Sequence, residues 1–286
     1  MVSKKRNAIM ESVLRLLEER PLNKITVKEI VDECGINRNT FYYHFEDISR
    51  LTPMEGCLYL GVLNTFMTPM RFTVNRRQYN KSFTTLREVG WECFDAGTNP
   101  ELIEPIIADS KEFTNIRRVV FDDFKRDGRH HEIQVETLEK IHDRLHEDKA
   151  HPLDMWMVLY TFEFGLDQKE DEDFMRYIAP FDGIIMWTWK ECDVPLIPEK
   201  FEVFKKMTPN NRRLFGCYLY NFGERKQATA EAVKWQLDWY LERIKAGEAE
   251  GIVLHTNTMA DVDYEAYDAA LAWMAEHGDD EIPFNY

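Results

Sequence analysis

The sequence contains no run of eighteen apolar residues, so no segment reads as a membrane span. Its first residues also lack the basic, apolar and small-residue order of a secretory signal. These two absences make a cytoplasmic location without a membrane partner the expectation. Cysteine is sparse: Cys34, Cys57, Cys93, Cys192 and Cys217 are scattered with no close pair, so neither a disulfide framework nor a zinc site is indicated. Several of them sit in apolar runs, where a thiol packs as a small hydrophobe. No glycine-rich phosphate loop follows any expected strand, which weakens a nucleotide-binding reading. His130 and His131 are adjacent and have no third ligand at helical or strand spacing, so they read as a solvated loop. No metal and no cofactor are expected.

The 286 residues suffice for a small domain plus a full-sized one, or for one large barrel. With 44% hydrophobic and 30% charged residues, the composition is that of a folded chain. The net charge of −15 argues at first sight against nucleic acid as a partner. Its distribution changes that reading. Residues 1–50 hold nine Lys and Arg against eight Asp and Glu, a net of +1, which leaves −16 on the rest. A near-neutral end with a basic tip at Lys4, Lys5 and Arg6, followed by an acidic body, suggests two parts with different partners.

Within the first part, Ile9, Val13, Leu16 and Leu17 fall at helical spacing on a segment that ends near Glu19-Arg20-Pro21. Thr26-Val27-Lys28-Glu29 has the capping-box pattern, and Val27, Ile30, Val31 and Cys34 line one face of the helix it would start. Gly35 follows where a chain leaving a helix favours positive φ. Asn37 can cap a third helix with Phe41 and Phe45 on its inner face. The outer face then carries Arg38, Asn39, Thr40, Tyr43 and His44, residue types that donate to phosphates and read base edges.

The stretch ITVKEIVDECGINRNTFYYHFEDI, within residues 4–51, resembles the helix-turn-helix of the tetracycline-repressor (TetR) family. The resemblance implies double-stranded DNA as a partner, bound by a homodimer. It further implies that Thr26 and Tyr42 hold phosphates while Arg38, Asn39, Thr40 and His44 face the groove. Glu46-Asp47-Ile48 stands where the family usually opens its next helix with a lysine. One expected phosphate contact is then missing and two acids sit near the DNA face, so a modest, salt-dependent affinity is expected.

After Leu51-Thr52-Pro53 the pattern changes to short apolar strands alternating with polar helices. Strands are expected at 57–63, 91–94, 118–122, 156–162, 183–189, 214–220 and 251–255, with a shorter one at 72–74. Amphipathic helices are expected between them, such as 100–112, 136–147, 228–246 and 264–277. Such alternation is the signature of a (β/α)8 barrel, with a doubly wound open sheet as runner-up. The expected organisation is therefore multi-domain: an all-α helix-turn-helix at 1–51, then an α/β (β/α)8-like barrel at 56–286.

Barrel chemistry sits at the carboxyl ends of the strands. If the barrel is an enzyme, the acids there that would be catalytic are Asp122, Asp123 and Glu163. Asp95, Trp187, Trp189, Tyr218 and Asn221 would bind a ligand, and His255 and Asn257 close the last strand. Acids among flat aromatic faces suit a sugar or similar small molecule at the barrel mouth. The segments VVFDDF, MVLYTFEF, DGIIMWTWK, LFGCYLYNFG and EGIVLHTN loosely resemble barrel proteins related to glycoside hydrolases, in which an aspartate would be expected at Asn221. In the plainer reading Asp123 caps a helix and the tryptophans pack the barrel. Two functions follow: a TetR-type regulator whose barrel senses a small molecule, or a carbohydrate-active barrel with a helical appendage.

Overall fold

The computed structural model describes residues 9, 12, 13, 15, 16, 24–36, 64–67, 76–93, 95–255, 265–278 and 280. The chain divides into two compact units, residues 1–60 with 256–264, and 61–255 with 265–286. No helix among the described residues is long and apolar enough to cross a membrane.

In the first unit, helix α1 (Val27–Cys34) begins as its sequence dictates. The Thr26 hydroxyl accepts from the Glu29 backbone N–H at 3.3 Å, and Glu29 Oε2 accepts from the Thr26 N–H at 2.8 Å, so two otherwise orphaned donors are satisfied. Gly35 ends the helix at φ 67°, a conformation that costs glycine little. Ile9, Leu16, Ile25, Val27, Ile30 and Val31 form the core, with Val13, Cys34 and Ile36 packed against it. Ser12 donates to the Ile30 carbonyl at 3.1 Å and Arg15 pairs with Glu33 at 2.6 Å, tying the first helical segment to α1. Arg38, Asn39, Thr40, Tyr42, Tyr43 and His44 lie outside the described residues.

The second unit is a (β/α)8-like barrel, a curled parallel sheet of seven described strands. Its elements run β1 (Asn64–Met67), α2 (Arg76–Ser82), β2 (Glu88–Glu92), α3 (Glu104–Glu112), β3 (Ile116–Phe121), α4 (Val135–Leu145), β4 (Asp154–Tyr160), α5 (Gln168–Ile178), β5 (Gly183–Trp187), α6 (Ile197–Met207) and β6 (Arg212–Tyr218). A hairpin of β7 (Tyr220–Asn221) and β8 (Lys226–Gln227) follows, then α7 (Ala230–Lys245), β9 (Gly251–His255) and α8 (Glu265–His277). The sheet order β1-β2-β3-β4-β5-β6-β9 follows the chain and every pairing is parallel. A doubly wound sheet needs a point where the strand order reverses, and this order has none, so the runner-up fold is excluded. The strands expected at 57–63 and 72–74 lie outside the described residues.

Side chains alternate between the two faces of the sheet. Val120, Trp156, Val158, Tyr160, Ile185, Trp187 and Leu214 form the inner cluster, with Phe66, Trp189, Tyr218 and Val253 against it. On the other face, Phe215 stacks on Tyr240 of α7 with ring centres 4.3 Å apart, and Phe121 meets Phe181 edge-on at 5.3 Å. Room for the large inner rings comes from glycines directly across the sheet. Phe66 pairs with Gly90, Trp156 with Gly183, and Trp187 with Gly216. In each pair a Cβ on the glycine would overlap the opposing ring.

At the amino-terminal ends of the strands an alternating chain of charges closes the interior. Arg118 pairs with Glu88 at 2.9 Å, and Arg212 pairs with Asp154 at 2.6 Å and Glu250 at 2.8 Å. Both guanidinium groups lie over the Trp156 ring, at 5.3 and 5.1 Å. Strands β3, β4 and β6 therefore begin earlier than their apolar runs suggest.

Two cysteines of the barrel behave as hydrophobes: burial pushes the Cys93 thiol up to about 11 and the Cys217 thiol up to about 12. His130 corrects the expectation of a solvated loop. It is 7% exposed, and its ring meets Phe174 and Tyr177 edge-on at 5.0 and 5.3 Å. Burial, with His131 and Lys125 nearby, lowers its pKa to about 4, so the ring is neutral at pH 7.

Candidate functional site

At the carboxyl ends of β3, β4, β5, β6 and β9 the structure assembles acids and aromatic rings from distant parts of the sequence. Strand β3 delivers Asp122 and Asp123. The Asp123 N–H donates to Asp122 Oδ1 at 2.8 Å, and Asp123 itself takes φ 50°, an uncommon value for a residue with a Cβ. Strand β4 ends on Tyr160, whose hydroxyl donates to Asp122 Oδ1 at 3.2 Å. The side chain of Tyr160 also shares a hydrogen bond with Tyr218 from β6. Burial first of all holds both phenols well above their ordinary range, with Tyr218 and the charges of Asp122 and Asp123 adding to it for Tyr160 and the Tyr160 hydrogen bond opposing it for Tyr218, so both stay protonated.

Glu163 closes the turn after β4. Its Oε2 accepts from the Tyr160 N–H at 2.9 Å, while its own N–H donates to the Tyr160 carbonyl at 2.9 Å. Oε1 is buried without a hydrogen-bond partner among the described residues. Burial raises this carboxyl to about 7, with Asp123 and Asp122 adding to the rise, while the Tyr160 N–H and the Lys125 ammonium oppose it. Lys125 donates to the Glu163 carbonyl and lies 4.5 Å from the centre of the Phe174 ring. One carboxyl that titrates near neutrality thus stands in the field of two others, the arrangement that separates acid and base roles.

The rings form a continuous surface around these acids. Trp187 lies 4.4 Å from Tyr218, Trp189 meets Tyr160 edge-on at 5.6 Å and lies alongside Phe222 at 5.8 Å, and Phe162 stacks on Tyr160 at 5.4 Å. His255 of β9 faces Tyr218 at 5.3 Å and Phe222 at 5.2 Å, and burial lowers its pKa. Phe162 is 43% exposed, which makes it an open platform at the rim.

Of the residues singled out in the sequence, Asp122, Asp123, Glu163, Trp187, Trp189 and Tyr218 are gathered here. Asp95 is exposed and paired with Arg129, and its carbonyl accepts from the Thr98 and Asn99 N–H groups in a turn. Asn221 is buried in the hairpin, where both ends of its amide bond to Glu224. Asn257 lies outside the described residues. Thr26, in the other unit, has its hydroxyl and its N–H engaged by Glu29. Tyr160 was not singled out, although it shares inward parity with Trp156 and Val158 and could have been found that way. Phe162 and Phe222 are apolar loop residues with no signal beyond their position after a strand. The close grouping of potential metal ligands among the described residues is His142, His146 and Asp182, and Asp182 stands just before β5, at the opposite end of the strands.

Residues 9–51 match the family model described as "Bacterial regulatory proteins, tetR family". No curated protein matches the chain in sequence. Among solved structures, the barrel is similar to active domain 2 of the thermostable chitinase from Pyrococcus furiosus, determined as catalytic-site mutants complexed with chito-oligosaccharides. The TM-score is 0.55 at 12% identity, covering 82% of this chain and 94% of that chain. The likeness at that identity is one of fold, and it agrees with the winding of the sheet.

Proposed function

We propose that the chain is a DNA-binding regulator whose barrel takes up a carbohydrate at the carboxyl ends of its strands. The tetR-family match over residues 9–51 is the observation that carries the DNA-binding half. The capping box at Thr26 and the left-handed Gly35 support it, because they start and end α1 where the family's sequence pattern expects its first turn signals. In this reading Arg38, Asn39, Thr40 and His44 face the major groove and Tyr42 holds a phosphate. Two copies of the chain bind half-sites about one helical turn, roughly 34 Å, apart.

The sensor half is supported by the surface of Tyr160, Phe162, Trp187, Trp189, Tyr218 and Phe222 around Asp122 and Glu163. Flat rings take the apolar face of a sugar, while the acids accept its hydroxyl protons. The similar chitinase domain was crystallised with chito-oligosaccharides, which makes them the first ligands to try. Ligand would shift DNA affinity only by binding one state of the chain more tightly than the other.

The test is selection of the purified chain on random duplexes at low and physiological salt, with its mass in solution recorded. Enrichment of a palindromic site by a dimer supports the regulator. Arg38→Ala should then weaken binding by about 1–3 kcal/mol and relax the base preference at the position it reads. A folded chain that enriches no site overturns it.

A second reading, a glycoside hydrolase, is favoured by one observation: the Glu163 carboxyl rests near neutrality beside Asp122 and Asp123. A general acid needs that poise. Release of new reducing ends from chito-oligosaccharides by the wild type, and its loss in Glu163→Gln, would establish this reading. No release would leave the barrel as a binding domain.

A further inference from the structure

We infer that His142, His146 and Asp182 form a binding site for a single divalent transition metal, zinc by ligand type, at the end of the barrel opposite the aromatic surface. The inference is independent of either reading of function. His142 and His146 lie one turn apart on α4, so their rings share a face and stack with centres 4.1 Å apart. Asp182, immediately before β5, is held from both sides. Its N–H donates to the Met155 carbonyl at 2.9 Å and its carbonyl accepts from the Arg212 N–H at 2.9 Å. Its Oδ2 accepts from the Met155 N–H at 2.6 Å. Oδ1 remains, and it stands 3.4 Å from Nε2 of His142 and 3.4 Å from Nε2 of His146.

The hydrogen positions are constrained by chemistry. Nδ1 of His146 is 2.9 Å from the His142 carbonyl oxygen, which can only accept, so Nδ1 carries the hydrogen. A neutral His146 ring then turns the lone pair of Nε2 toward a carboxylate oxygen. Two facing lone pairs need a positive charge between them, either a second ring proton or a metal ion. The spacing favours the ion. At 3.4 Å the contacts exceed an ordinary N–H···O bond, roughly 2.7–3.2 Å. Ligands bonded at about 2.0–2.1 Å around a tetrahedral zinc stand about 3.3 Å apart.

The surroundings fit as well. All three ligand atoms lie within 4.8 Å of one another. The backbone carbonyl on His146 and the backbone N–H on Asp182 are the outer partners that metal-bound imidazoles and carboxylates characteristically have. His142 and Asp182 also line an open cavity of about 620 Å³, whose wall includes Glu139 and Asp143. Arg212, on the same wall, is committed to Asp154 and Glu250. Two imidazoles and a carboxylate suit zinc better than calcium or magnesium, and three protein ligands leave the fourth position to water. The ion would clamp α4 to the start of β5.

The test uses the full chain, stripped with chelator and dialysed against zinc chloride. One equivalent of zinc should be retained, and the thermal unfolding midpoint should rise when zinc is added. His146→Ala, His142→Ala and Asp182→Asn should each reduce retention at least tenfold and abolish the rise. Circular dichroism of each variant without metal distinguishes lost ligation from lost fold. Cobalt(II) added to the wild type gives a readout that needs no variant: an intense visible band of tetrahedral type, displaced by zinc. Failure to retain zinc, retention undiminished in the His142→Ala/His146→Ala double variant, or a pale octahedral cobalt spectrum would each overturn the site and leave the histidines as an ion pair with Asp182.

Discussion

Gly216 stands directly across the sheet from Trp187, and a Cβ at 216 would overlap the indole ring. The same trade holds between Phe66 and Gly90, and between Trp156 and Gly183. The interior is thus packed by adjacent pairs of one large and one absent side chain.

Gly216→Ala should therefore destabilise the barrel by overpacking, by about 1–3 kcal/mol. Trp187→Leu in the same chain should recover part of that loss, because the shorter side chain vacates the overlap. Urea unfolding of the two single variants and the double variant checks this. Additive losses would mean that the two residues are not coupled.

Glu163 gives stability a pH dependence of definite sign. Its folded-state carboxyl lies near 7 against an ordinary 4.5, so between those values the native state holds a proton that the unfolded chain has released. Stability contributed by this group is therefore full below about pH 4.5 and falls as pH rises through 7, by on the order of 3 kcal/mol. Glu163→Gln should remove the fall, and should gain on the wild type at pH 8 relative to pH 5 in denaturant titrations. Parallel profiles would contradict the burial argument.

His130 acts in the opposite sense over an overlapping range. Its pKa is lowered to about 4 from 6.5, so the unfolded state binds the proton first as pH falls. Stability from the neutral ring is present above pH 6.5 and is lost as pH drops toward 4. His130→Phe, which retains the edge contacts to Phe174 and Tyr177, should resist acid better than the wild type. Unfolding midpoints followed from pH 7 to pH 4 would show it, and an equal acid loss in both chains would refute it.

In the first unit, Thr26→Ala removes the hydroxyl that caps α1 and should cost about 1 kcal/mol, most of which Thr26→Asn should restore. The comparison also separates two roles. DNA binding that falls with Ala and returns with Asn assigns Thr26 to the cap, whereas binding that falls in both assigns its hydroxyl to a phosphate.

The sequence made β9 legible to the residue, because Gly251–His255 is an apolar run bounded by polar residues in the sequence, Glu250 before it and Thr256-Asn257 after it. Strand β4 was read two residues late, as 156–162 against the observed Asp154–Tyr160. Asp154 looked like a loop residue, and its pairing with Arg212 is made only by folding. Thr161 and Phe162 looked like strand, but Glu163 reaches back to the Tyr160 N–H and turns the chain. The bounds of helix α5 are blurred in the sequence by its charge: of QKEDEDFMRYI only Asp171, Phe174, Tyr177 and Ile178 face inward. Within the site, Asp122, Glu163, Trp187 and Tyr218 could be read from their place at or just after the carboxyl ends of strands. The hydrogen bond from Tyr160 to Asp122 joins residues 38 apart and left no local trace. His142 and His146 show helical spacing, but the aspartate that gives the pair its meaning lies 36 residues beyond the second histidine.

The order of the strands also bears on how the barrel is assembled as it leaves the ribosome. Each strand of the seven-stranded sheet pairs with the strand of that sheet made before it, across separations from 24 residues, Asn64 to Glu88, to 37 residues, Leu214 to Gly251, with only the β7–β8 hairpin intervening before β9. Every described strand of that sheet after β1 therefore docks on a template already synthesised. The growing edge advances with the chain, so a translational pause after any helix would leave a shorter sheet of native pairing rather than a wrong one.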